Sequence, residues 1–125
     1  MSVIVAKSPS GGGGSSSTNN SQIANIRAVI PEQENRAVDV IIDDQVVGAK
    51  WMVVLTTFDE RMCAYEIYGY RKSATAANFT VYAVIGDVVM HEVEVTLENS
   101  HLCLKVTNNE SGLITMAITR IGVLQ

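Results

Sequence analysis

Rows of apolar side chains at every second residue constrain the fold of this chain more than any other feature. Trp51, Val53 and Leu55 form one row; Phe79, Val81, Ala83 and Ile85 a second; His91, Val93, Val95 and Leu97 a third; Leu102, Leu104 and Val106 a fourth. Successive strand residues point to opposite faces, so each row predicts a strand with one buried face. Together they predict sheets packed face to face or closed on themselves. The last run sets Ile114, Met116 and Ile118 on one side, followed by Arg120, with Thr115, Ala117, Thr119 and Ile121 on the other.

Apolar runs of strand length follow one another: Ile23 to Ile30, Ala37 to Ile42, Ala49 to Thr57, Met62 to Tyr70, Phe79 to Ile85, Val88 to Leu97, Leu102 to Thr107 and Leu113 to Val123. Turn-forming segments such as Pro31 to Asn35, Asp43-Asp44-Gln45, Gly86-Asp87 and Asn108 to Gly112 separate them. The expected fold is all-β, an antiparallel β-sandwich or jelly-roll-like barrel of about 7–8 strands. It spans residues 23–125. Two runs carry alternatives: Ile23 to Val29 also fits a helical turn, and Val38 to Ile42 is apolar on both faces, as in a strand covered on both sides or at an interface. The Ala-rich piece Ser73 to Ala77 is too short for a helix.

Residues 1–22 read as an arm. Ser8 to Ser21 is a run of Gly, Ser, Thr and Asn around a single Pro, with nothing apolar enough to offset the entropy of ordering it, so a tether is expected. Ahead of it, Val3, Ile4 and Val5 form an apolar strip suited to adding a strand or anchoring to a neighbouring subunit. A short apolar start followed by Lys7 reverses the order of a signal peptide, so secretion is not expected.

Composition excludes some classes of function. The net charge is −4 and Arg71-Lys72 is the only basic pair, which disfavours nucleic-acid binding. No stretch approaches the ~18 apolar residues of a membrane-spanning helix. Charged residues make up 18% of the chain, against about a quarter in a typical soluble domain, so part of the surface is expected to be covered by other copies or partners; a Val- and Ile-rich β domain without an interface accounts for the same value. Cys63 and Cys103 are too few for a disulfide-stapled secreted domain.

No motif for catalysis or cofactor binding emerges, and no catalytic residue, metal ligand or cofactor is expected. His101 and Cys103 share one strand face and His91 is the nearest third donor, but a zinc site needs three or four convergent ligands, and core side chains are the ordinary reading. Cys63 alternates with Tyr65 and Ile67 as a buried thiol would. Asp43-Asp44 and Asp59-Glu60 stand at strand ends, where acidic residues shape turns, with weak calcium binding as the alternative; Asp39 is a further carboxylate within a run. Gly11 to Gly14 lack the preceding strand and following Lys of a phosphate loop. The aromatic residues are more suggestive. Tyr68 and Tyr70 share a strand face opposite Tyr65, and with Tyr82 they form a candidate interaction surface, since tyrosine favours interfaces and sugar platforms as well as strands generally.

Six short patterns together resemble β-structured domains of tailed-bacteriophage virion proteins, those of head decoration, tail and fibre. They are Trp51-Met52-Val53, Glu66-Ile67-Tyr68-Gly69, Tyr82-Ala83-Val84-Ile85-Gly86, Val93-Glu94-Val95, Leu102 to Asn108 and Arg120-Ile121-Gly122-Val123. The resemblance implies a capsid-decoration or tail-accessory subunit, a trimer that contacts other virion proteins and is assembled in the host bacterial cytoplasm. The alternative is a carbohydrate- or receptor-binding fibre module with a glycan as partner, using Tyr68, Tyr70 or Tyr82 as a stacking surface. The segment before Trp51 has no counterpart in the pattern.

Overall fold

The computed structural model describes residues 22–125. The Val3, Ile4 and Val5 strip lies outside the described residues. Eight strands follow: β1 (Ile23–Ile30), β2 (Asn35–Ile41), β3 (Val46–Thr57), β4 (Met62–Arg71), β5 (Ala77–Gly86), β6 (His91–Glu98), β7 (His101–Asn108) and β8 (Ile114–Leu124). They form a five-stranded sheet ordered β1-β8-β3-β4-β5 and a three-stranded sheet ordered β2-β7-β6, with every pairing antiparallel. Both sheets keep open edges, so the fold is a sandwich, not a closed barrel. Ile23 to Ile30 is a strand along its whole length, paired with β8, and the helical alternative does not hold.

The core lies where the alternating rows place it. Trp51, Leu55, Ile67, Leu102, Leu104 and Ile114 are fully buried between the sheets; burying each such side chain contributes about 1.5–3 kcal/mol. Gly69 faces the same layer, and a Cβ there would stand 3.0 Å from Val95 Cγ1, so the missing side chain lets β4 approach β6.

The fifth strand departs from the sequence reading. Phe79, Val81, Ala83 and Ile85 do not form one buried row, because a bulge lies between the pairs Ala64↔Ile85 and Glu66↔Tyr82 and Ala83 adopts φ +56°. The extra residue shifts the alternation by one. Ile85 is thereby turned to the outer face and is 68% exposed, while the three-stranded sheet leaves β5 overhanging, so Phe79 is 37% exposed. A second bulge, between Ala37 and Asp39, turns Val38 and Asp39 both inward. Val40 and Ile42 are exposed, so β2 is an edge strand covered on one face only.

One end of the sandwich is tied together by Asn108 and Glu110. The Asn108 side-chain amide donates to the carbonyls of Ile30, Pro31 and Gly112, and its Oδ1 accepts from Glu110 N. The Glu110 carboxylate accepts from Arg61 Nη2 at 2.6 Å and Met90 N at 2.5 Å. Loops from both sheets thereby share one hydrogen-bonded network, which holds the strand ends in register.

Candidate functional site: the outer face of the five-stranded sheet

Strand register fixes which side chains stand together on the outer face. One row runs Ile23, Ile121, Lys50, Tyr68, Thr80; the next Asn25, Thr119, Met52, Glu66, Tyr82; the third Arg27, Ala117, Val54, Ala64, Ile85. The second and third rows, Tyr82 apart, line a trough of about 660 Å³ that crosses the strands from Asn25 and Arg27 on β1 to Ala83, Val84 and Ile85 on β5. Its floor is shallow because Ala64, Ala117 and Thr119 are small, and Met52 and Val54 stand over 40% exposed at its centre. An apolar sheet face of this extent, open to water, is a surface on which partners gain free energy by docking.

The tyrosines of the sequence reading lie beside this trough. Tyr68, Tyr70 and Tyr82 are 38–44% exposed on the outer face, whereas Tyr65 points into the core. Lys50 Nζ pairs with Glu66 Oε1 at 3.2 Å, and the Tyr82 hydroxyl also bonds the Glu66 carboxylate. Those partners, Lys50 first, hold the Glu66 carboxyl below its ordinary range. The charges of this patch are thus largely matched within it. Arg27, at the β1 end of the trough, forms no ion pair among the described residues.

The structure keeps the other candidate groups apart. His91 faces the core opposite Asn108 at one end of β6, and His101 pairs with Glu98 at the other. His91 Nδ1 donates to the Val89 carbonyl at 2.6 Å, leaving Nε2 to face the Tyr65 hydroxyl at 3.4 Å. Burial drives the His91 pKa down to about 4, so the ring is neutral. Cys103 and Cys63 are buried, and desolvation pushes both thiols up to about 11. Asp39 is paired with Arg120, Asp43 Oδ1 accepts from Gln45 N to shape its turn, and Asp59 closes on Arg61 and Thr57. Among the described residues no three His, Cys, Asp or Glu side chains converge as a metal would need.

No protein-family model matches the chain, and no curated protein matches it either. Function is therefore argued from the face itself. Sequence reasoning missed the trough, though a signal was present: Trp51 to Leu55 is apolar at every position, so β3 had to carry apolar side chains on its outer side as well.

Proposed function

We propose that this chain is a structural subunit of a viral particle, a capsid-decoration or tail-accessory protein that associates with copies of itself and with neighbouring subunits. The observation that carries the reading is the apolar outer face of the five-stranded sheet, where Met52, Val54, Ile85 and Ile121 stand open to water. Assembly proteins keep such a face because covering it drives association, at roughly 25 cal/mol for each Å² of apolar surface removed from water. The six strand patterns resembling phage virion domains give the assembly its viral setting. The test is density-gradient fractionation of particles from the source culture, following the chain with an antibody. Co-migration with particles is expected; recovery only in the soluble fractions sinks the reading.

A second reading, carbohydrate binding, is favoured by one arrangement: three tyrosine rings on one face beside the Lys50–Glu66 pair, which supplies both a donor and an acceptor for sugar hydroxyls. A glycan array together with intrinsic tyrosine fluorescence tests it. Silence in both removes it.

A further inference from the structure

The edge strands of the sandwich, β1, β5, β2 and β6, are not equally defended. A sheet edge offers unpaired N–H and C=O groups to any further strand, and proteins blunt such edges with bulges, like charges or proline. β5 is broken by the bulge at Ala83, and β2 by the bulge between Ala37 and Asp39. β6 carries Glu92, Glu94 and Glu98, which would repel the same row of a second copy. β1 has none of these defences. It pairs with β8 along its whole length without a register shift, contains no proline, and has Arg27 as its single charge.

Backbone geometry shows which groups β1 offers. Gly122 N donates to the Gln22 carbonyl, so these two residues stand as a hydrogen-bonded pair. Bonded and non-bonded pairs alternate along an antiparallel ladder. Ala24, Ile26, Ala28 and Ile30 therefore turn their N–H and C=O groups towards β8, and Ile23, Asn25, Arg27 and Val29 turn theirs away. No strand among the described residues pairs with β1 on that side. The same four residues carry exposed side chains on the outer face, with Ile23 at 61% and Val29 at 52%.

The order of residues along β1 complements itself. Set antiparallel to a second copy with Ile26 opposite Ile26, the strand places Ile23 opposite Val29, Ala24 opposite Ala28 and Asn25 opposite Arg27. Exposed apolar side chains then cover each other, the small residues meet, and the Arg27 guanidinium reaches an amide and not a second cation. Arg27 forms no ion pair among the described residues. Asn25 Oδ1 accepts from Thr119 Oγ1 at 2.9 Å, which leaves its second lone pair for that guanidinium. Neighbouring registers lose the match. With Arg27 opposite itself, like charges meet; with Asn25 opposite itself, Arg27 falls on Ile23 and Val29 has no partner in the strand.

We propose that the β1 edge is the seat of a second copy of this chain, paired antiparallel about Ile26 so that two five-stranded sheets become one continuous sheet. The inference rests on the self-association proposed above and names the strand through which copies meet; the viral setting plays no part in it. Because the same strand serves both copies, the contact closes on itself as a dimer. The bulged β5 then forms both outer edges of the joined sheet. The troughs, which begin at Asn25 and Arg27, run into one another across the junction.

The test uses the full chain in sedimentation velocity over a wide range of concentration, with amide hydrogen exchange read by NMR in the same samples. A dimer is expected, in which the Arg27 and Val29 amides are protected. In the monomer, reached by dilution or with Asn25→Lys, those two amides are expected to exchange freely while Ala24, Ile26 and Ala28 stay protected by β8. Asn25→Lys sets a second cation against Arg27 and is expected to weaken the dimer about tenfold or more, and adding Arg27→Asp is expected to restore most of the loss. Both positions are exposed, so neither substitution disturbs the core. A chain that stays monomeric at every concentration overturns the inference. A dimer whose Arg27 and Val29 amides exchange freely also overturns it, and puts the contact on the outer face instead. Protection that persists in the monomer overturns it by showing that another segment of the same chain covers the edge. Gradient fractionation decides the viral reading separately, so either can fail alone.

Discussion

Arg120 on β8 reaches across the sandwich and closes on Asp39 of β2, its Nε 2.8 Å from Oδ2 and its Nη2 3.1 Å from Oδ1, with both side chains about 6% exposed. Trp51 Nε1 donates to the same Oδ2 at 2.9 Å, so one buried carboxylate joins the two sheets through a cation and an indole.

Breaking that pair from one side leaves an uncompensated buried charge. Asp39→Ala is expected to cost about 3–5 kcal/mol, whereas Asp39→Leu with Arg120→Met recovers most of the loss. The remainder, about 1 kcal/mol, reflects the Trp51 N–H left without its acceptor. Urea denaturation of the two variants checks the contrast; a double variant as unstable as the single would refute it.

The neutral state of His91 makes stability depend on pH. Its folded-state pKa is depressed from the ordinary 6.5 to about 4, because charging the buried ring is penalised. The native state therefore binds fewer protons than the unfolded chain between those values. This contribution is fully present above pH 6.5 and declines as pH falls towards 4, by about 3 kcal/mol in total. His91→Gln is expected to flatten the stability difference across that window, measured as denaturation midpoints at pH 7, 5.5 and 4.

The β6–β7 hairpin turns through Asn99 at φ +53° and Ser100 at φ +68°. Two positive values define a turn that favours glycine at its second position. Ser100→Gly is expected to stabilise by about 0.5–1 kcal/mol, since the left-handed conformation costs serine more than it costs glycine. The Ser100 carbonyl accepts from Arg71 Nη1 at 2.6 Å, a main-chain contact that the substitution does not remove. A lower thermal midpoint would contradict this.

Gly86 shows the opposite constraint. At φ +99° its added Cβ would stand 2.6 Å from the Met62 carbonyl oxygen, a backbone atom that cannot swing aside. Gly86→Ala is expected to cost roughly 1–3 kcal/mol and to loosen the pairing of Asp87 with Met62. Thermal unfolding gives the cost, and faster hydrogen exchange at Met62 reports the loosening.

Both thiols are buried and held at about 11. At pH 8 the native chain is expected to react with a thiol-specific disulfide reagent far more slowly than the urea-unfolded chain, for both Cys63 and Cys103. Fast native labelling of either would show that its cover opens readily.

The apolar runs read from the sequence match the eight strands to within three residues at either end, because turn residues and a period of two leave local marks wherever a strand has one dry face. Bulges leave no such mark. Ala83 looks like a core residue in the alternation of the fifth run, and only the pairing with β4 shows that it is an extra residue in an exposed strand. Asp39 was legible as a carboxylate among apolar neighbours but not as a partner of Arg120, eighty-one residues away, since that pairing depends on which strands face each other. The outer positions of Tyr68 and Tyr70 followed from alternation with Tyr65, whereas placing Tyr82 beside Glu66 required the register of β4 against β5.

The bulge at Ala83 also limits how the molecule can polymerise. A sheet grows without end only if its outermost strand presents an unbroken ladder for another copy to continue. Here the ladder is interrupted two-thirds of the way along β5 and terminated by Gly86, so stacking edge upon edge into a ribbon loses its template. Growth by strand addition along the β5 edge is thereby cut short, even though the strand itself is ten residues long.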